Sequence, residues 1–205
     1  MWEVLTGFDP GLLAAFIAAG LLLNLTPGAD FVSASGINGG PRVGMAAALG
    51  INLGIVVHIA MAAAGVSALL IASPLAYDVI RYAGAAYLLW LAWQAWASRG
   101  DLADGVAAGS AWRAMRRGFV TNVLNPKTAL FIFAFIPQFT DPAIGPIWMQ
   151  IVVLGAIFML FGMMFSLCLG AASGAFAHVL RARARLLSRL SAVMFGGLAA
   201  RLIWD

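Results

Sequence analysis

The sequence predicts an all-α polytopic membrane protein: six transmembrane helices arranged as two inverted three-helix repeats, with helices 1 and 4 broken. Three observations predict it. The first is composition: of 205 residues, 63% are hydrophobic and only 10% charged, with a mean hydropathy of +0.96. An ordinary soluble domain carries about 25% charged residues. The second is that the apolar residues fall into runs long enough to cross a bilayer, which takes about 20 residues per helix. The third is a proline inside each of two runs, one in each half of the chain. Such paired interruptions mark the broken helices of secondary transporters. Together these exclude a disordered chain, a coiled coil and a water-soluble enzyme.

Six runs follow in order: Leu12–Ile37, Val43–Ala72, Leu75–Ala97, Gly118–Phe139, Ile147–Phe176 and Leu190–Trp204. Short punctuation separates several of them, namely Gly39-Gly40-Pro41, Ser73-Pro74, Asp141-Pro142 and Gly145-Pro146. The first ten residues carry Glu3 and Asp9 but no Lys or Arg. A cleavable signal needs a basic start, so the first run is expected to remain as a mature helix. The whole chain, 1–205, reads as one integral membrane domain. Repeat one covers about 1–97, a cytoplasmic loop about 98–117, and repeat two about 118–205.

The net charge is +4 and the sequence pI about 10.0. In a soluble protein this would suggest nucleic acid. Here the arginines gather between apolar runs, which is the pattern that orients a membrane protein, so no nucleic-acid partner is expected. Arg42, the stretch Ser98–Arg117 and the stretch His178–Arg189 all follow odd-numbered runs. The positive-inside rule puts them in the cytoplasm and both termini outside. The second stretch alternates Arg with Leu and Ala; it reads either as a plain orienting loop or as an interfacial helix. The single cysteine, Cys168, allows no internal disulfide. The spacings offer no metal set and imply no cofactor.

The polar residues inside the runs carry the chemistry. Thr26-Pro27-Gly28 reads as the start of a new half-helix: Thr is a favoured cap, Pro suits the first helical position, and the break frees backbone groups. Asn125-Pro126 reads the same way, with Asn as cap. Half-helix N-termini at the membrane interior attract a carboxylate. The competing reading is a proline kink satisfied by neighbouring helices. Asp30 and Lys127, the only lysine, lie next to these breaks. A charge at the bilayer centre costs about 2.5–3.5 kcal/mol on insertion scales, a cost that goes with use. Either the two neutralise each other, or they bracket a zwitterion, Lys127 holding a carboxylate and Asp30 an ammonium or a coupling proton.

Asn24, Asn52, Asn122, His58 and Gln138 are further candidates for lining a cavity or relaying protons. Each also serves as interhelical glue. Asn122 and Asn125 share a face if the helix is unbroken between them. His58 follows Gly50 and Gly54 on one stripe, a pattern that suits close helix packing within a protomer or between protomers of a homo-oligomer. Trp90, Trp93 and Trp96 suit an interfacial belt.

These motifs resemble the LysE/RhtB family of bacterial amino-acid exporters. The resemblance rests on Thr26-Pro27-Gly28-Ala29-Asp30 and on Gly118-Phe119-Val120-Thr121-Asn122-Val123-Leu124-Asn125-Pro126-Lys127, continuing through Pro137-Gln138-Phe139. Gly84-Ala85-Ala86-Tyr87-Leu88-Leu89-Trp90-Leu91, and Gly44, Gly50, Gly54 and His58, are also similar to the family's third and second helices. Where the family often has a second proline, this chain has Ala29. The resemblance implies proton-driven export of amino acids or close derivatives across the bacterial inner membrane. One acid and one lysine favour a neutral substrate, such as a homoserine-, threonine- or leucine-like compound. An enzyme would need a nucleophile–base or metal constellation that the spacing does not offer. A channel would need a continuous polar stripe. A purely structural membrane protein would have no use for Asp30 and Lys127.

Overall fold

A computed structural model describes residues 2–25, 40–66, 68–69, 73–97, 110–171 and 183–204. The described residues are almost entirely helical. A short helix α1 (Trp2–Gly7) leads into α2 (Pro10–Leu25). Helix α3 (Gly40–Met61) ends in a π-helical turn, Ala62–Val66, and α4 spans Pro74–Ala97. Helix α5 (Ala111–Val123) stops at a break. Helix α6 (Pro126–Leu130) then runs on through a π turn, Phe131–Phe135, and a tight turn, Ile136–Phe139. Helices α7 (Ile147–Ala171) and α8 (Ala184–Trp204) complete the chain.

Among the described residues, three stretches are long and apolar enough to cross a membrane: Gly40–Gly65, Ile147–Cys168 and Ala184–Trp204. The pair Ala111–Val123 and Pro126–Phe139 forms a fourth if taken as one span bent by 51°. Helix α4 has 24 residues but carries Asp78, Arg81 and Gln94, and α2 is a shorter apolar helix. The expected fold class stands as an all-α polytopic membrane protein.

Two boundaries differ from the hydropathy reading. The fourth run begins at Ala111, well before Gly118, because Ser110 caps α5, its side chain accepting from the Arg113 amide. The added turns bury Ala114 and leave Trp112, Arg113, Arg116 and Arg117 exposed, so their mean hydropathy hides a helix. The last helix likewise begins at Ala184, which places Arg185 and Arg189 on α8 rather than in a loop. A helix needs only backbone pairing and one buried stripe, whereas a hydropathy window averages over all faces.

Glycines set the closest approaches. Helices α3 and α5 run parallel, with Gly50 against the backbone of Met115 and Phe119, and Gly54 against the Asn122 side chain. Gly118 in turn meets the Ala47 carbonyl. The Gly50/Gly54 stripe is therefore used within the protomer. Helices α2 and α7 also run parallel, with Gly20 meeting Phe158 and Gly162 meeting Asn24. Helix α2 runs antiparallel to the stretch from Pro126 to Phe139: Phe16 packs on Phe135 and Phe139, while Leu23 lies by Lys127.

The core sits between α2, α6 and α7. Phe16, Phe131, Phe135, Phe139 and Phe158 make a ring cluster with centroid separations from 4.8 to 6.4 Å. Such offset and edge-on pairs add to area burial. Helix α8 lies on α4, with the Arg189 guanidinium 5.8 Å from the Trp96 ring centroid. Trp90, Trp93 and Trp96 are exposed, as a headgroup-level belt requires.

Candidate functional site at the helix break

The break at Leu124-Asn125 follows from local chemistry. Proline cannot donate to the preceding turn and clashes with it, so α5 must end before Pro126. It closes with Leu124 donating to the Val120 carbonyl and Asn125 to the Asn122 carbonyl. The chain restarts at once: the Asn125 side chain accepts from the Lys127 amide at 3.0 Å, and Pro126 takes the first helical position. The expectation that Asn125 caps a new half-helix is what the geometry shows. The same break means that Asn122 and Asn125 do not share one continuous helix face.

Asn122 ties the two sides of the break together. It is 1% exposed, and its amide nitrogen donates to the Thr128 hydroxyl at 3.4 Å, across the interruption. Its carbonyl, which already accepts from the Asn125 amide in the closing turn, also receives His58 from α3. The His58 Nε2 to Asn122 oxygen distance is 3.0 Å. A carbonyl only accepts, so Nε2 carries the hydrogen. The Phe133 ring lies edge-on to the imidazole at 5.7 Å, and His58 is only 4% exposed. Among the described residues Nδ1 has no hydrogen-bond partner.

Lys127 leaves the break in the other direction. Its ammonium donates to the Leu23 carbonyl of α2 at 3.3 Å. Leu23 lies in the last turn of α2, where unpaired carbonyls give the helix its negative end, so a cation is stabilised there. The contact brings the Pro126 break against the end of the helix that leads into Thr26-Pro27. Thr26, Pro27, Gly28 and Asp30 lie outside the described residues.

The remaining candidates divide. Asn24 donates to the Gly20 carbonyl at 2.9 Å and lies over Gly162, close to Leu23 and so to Lys127. Asn52 is buried and donates to the Ala48 carbonyl of its own helix at 2.8 Å; its oxygen has no partner among the described residues. Gln138 also turns back on its own helix, donating to Ala134 at 3.3 Å, one tight turn before the chain leaves the stretch. The structure thus brings His58, Asn122, Asn125 and Lys127 together around one break, with the end of α2 beside it. Gln138 lies at the other end of the same stretch, on the tight turn Ile136–Phe139.

Sequence reasoning missed two residues. Thr128, 4% exposed, is the receiving half of the cross-break bond; its place just after Asn-Pro-Lys was the available signal. Gln150 is fully buried and fixes the turn before α7: it accepts from the Asp141 amide at 2.9 Å and donates to the carbonyls of Asp141 and Gly145 at 2.7 and 2.8 Å. A lone amide in an otherwise apolar stretch was the clue.

A family model described as LysE type translocator matches residues 19–205. A homoserine/homoserine lactone efflux protein of Salmonella typhimurium is 34% identical over 145 residues, covering 69% of this chain and 70% of the relative. A leucine efflux protein of an Enterobacter species is 31% identical over 196 residues, covering 91% and 92%. An uncharacterised membrane protein of Vibrio cholerae is 34% identical over 145 residues, covering 69% and 70%. No solved structure matches the chain. With the matched span taking in nearly all of the chain, from α2 through the break to α8, the chain belongs to the LysE type translocator family.

Proposed function

We propose that this protein exports a small neutral amino acid, or a close derivative, from the bacterial cytoplasm across the inner membrane. The observation that carries the reading is the broken helix at Asn125, with Lys127 placed against the end of α2. A half-helix start and an ammonium within one turn are what an α-carboxylate needs. The relatives named for homoserine and leucine efflux support the substrate class. In this reading Thr26, Pro27, Gly28, Asn122, Asn125 and Pro126 shape the site with Lys127. Asp30 holds the substrate's ammonium or carries the coupling proton. The six runs cross as two inverted repeats with both termini outside, and alternating access comes from rocking one repeat on the other.

The test is efflux from cells preloaded with labelled homoserine, threonine, leucine and lysine. Cells making the protein are compared with cells making Asp30→Asn or Lys127→Ala at matched membrane levels. The expected result is faster release of one neutral compound, abolished by either change. Release that is unaltered by both changes would overturn the site assignment. An uncoupler should slow release; a rate indifferent to it would remove the proton from the scheme.

A further inference from the structure

We propose that Nδ1 of His58 is a shared binding atom, taken in turn by the substrate's ammonium and by the coupling proton, and that this exclusion makes the transport an antiport. This deepens the export reading above, on which it rests, and leaves Asp30 with the ammonium alone. The starting point is an unpaired atom. Nε2 donates to the Asn122 carbonyl, so in the neutral ring Nδ1 is a bare acceptor. Among the described residues it has no hydrogen-bond partner, and His58 is 4% exposed. Buried polar atoms are as a rule paired, so an atom left bare is a place for a ligand that brings the hydrogen. Oδ1 of Asn52 is the other such atom on α3. It stands on the stripe that carries Ile59 onto Gly155 of α7, whereas His58 meets the break. An amide oxygen also takes up no proton near neutral pH.

One amino acid can reach His58 and the carboxylate site together. The Asn122 carbonyl takes His58 at 3.0 Å and the Asn125 amide at 2.9 Å, so the imidazole and the start of the half-helix meet at one oxygen. In an α-amino acid a single carbon separates carboxylate from ammonium. With the carboxylate at Lys127 and the Asn125 cap, the ammonium falls on the His58 side of the break. The Asn122 side-chain oxygen, which lies against Gly54 one turn before His58, is a second acceptor for its donors.

A proton seeks the same lone pair, and imidazole is the side chain that gains and loses one near neutral pH. The imidazolium keeps its Nε2 bond to a carbonyl in the last turn of α5, where the helix presents its negative end. The charged or titratable groups on the elements packed against α3 are few. They are Arg113, Arg116 and Arg117 of α5, all exposed, Lys127 of α6, turned to Leu23, and Cys168 of α7, exposed. The two π turns carry none. No carboxylate among these described groups fixes the ring in its charged form, so it is able to give the proton back. Nδ1 has one lone pair, so substrate and proton exclude each other. A proton entering from outside bonds to Nδ1 and displaces the ammonium. Released to the cytoplasm, it leaves Nδ1 bare for the next substrate.

The test is exchange of labelled homoserine and leucine by the full chain in liposomes, with equal pH on both sides so that no gradient drives it. In the wild type, KM for the exchanged compound should rise at least about threefold from about pH 8 to about pH 6, with little change in turnover at saturation. His58→Gln keeps an N–H for the Asn122 carbonyl and an oxygen acceptor, but takes up no proton. It should still exchange, with a KM that ignores pH, and an uncoupler should no longer slow its efflux from cells. His58→Asn, shorter with the same chemistry, is made alongside in case the longer amide does not fit. A wild-type KM that does not move with pH would overturn the shared atom. So would a His58→Gln or His58→Asn protein whose KM still follows pH, since the titrating group would then lie elsewhere. If the wild type exchanges neither compound at any pH, the export reading itself fails and the shared atom falls with it.

Discussion

The ammonium of Lys127 lies 3.3 Å from the carbonyl oxygen of Leu23, so the turn that follows one break grips the helix that leads to the other. A charged donor on a helix-end carbonyl is stronger than a neutral pair, at about 1.5–3 kcal/mol. Lys127→Met should remove that hold and lower efflux at least about tenfold, the rate equivalent of roughly 1.4 kcal/mol. Lys127→Arg keeps the charge with a different head and should retain part of the activity. Initial efflux rates at matched membrane abundance check both. A fully active Lys127→Met would show that the ammonium serves neither the substrate nor the grip.

The approach of α3 to α5 makes a second prediction. A methyl at Gly50 would run into the Met115 carbonyl, and one at Gly118 into the Ala47 carbonyl. Backbone cannot swing aside as a flexible side chain can, so the helices must separate. Overpacking of this kind costs about 1–3 kcal/mol. Gly50→Ala and Gly118→Ala should each lower the midpoint of thermal unfolding in detergent. Gly197→Ala, with nothing within 4 Å of the added methyl, serves as the control and should leave it unmoved.

How much of this was legible in the sequence depends on the residue. The Asn125-Pro126 break could be read directly, because proline's missing donor and asparagine's capping oxygen act within one turn. The Gly50 and Gly54 stripe announced a close helix contact, but its partner was open until Gly118 and Asn122 were seen facing it. The start of α5 was hidden because Arg113, Arg116 and Arg117 lower the mean hydropathy of a helix that still buries Ala114 and Gly118. His58 could be named as a candidate but not paired, since its acceptor is a backbone carbonyl 64 positions away that no side-chain pattern marks. The Leu23 carbonyl met by Lys127 is of the same kind. Partners that every residue possesses leave no trace in a sequence.

The cap at Asn125 makes a third prediction. Asn125→Ala removes the acceptor for the Lys127 amide and loosens the first turn of α6. Replacing such a cap costs about 0.5–2 kcal/mol. Asn125→Asp keeps the acceptor and should recover most of the loss. Because Lys127 is the residue whose amide is capped, Asn125→Ala should raise the substrate concentration needed for half-maximal efflux as well as lower thermal stability. An unchanged concentration dependence would separate the cap from the site.

Gln150 makes the last. Its side chain accepts from the Asp141 amide and donates to the Asp141 and Gly145 carbonyls, closing the turn from Thr140 to Pro146 onto the start of α7. Gly145 holds a φ of 146°, a conformation that L side chains rarely adopt, so this turn needs an outside support to keep its shape. Gln150→Leu is close in size but takes away the partner of the Asp141 amide and of the Gly145 carbonyl, while the Asp141 carbonyl keeps the Ile144 amide. Each stranded group costs about 1–3 kcal/mol, so a loss of roughly 2 kcal/mol or more is expected if no water enters to replace the amide. The loss should show as a lower unfolding midpoint and as faster proteolytic cutting between Thr140 and Pro146. Since Gln150 lies apart from the His58, Asn122 and Lys127 contacts, the fraction that remains folded should keep its substrate affinity. A Gln150→Leu protein that unfolds at the wild-type midpoint would mean that the turn holds its shape without the amide.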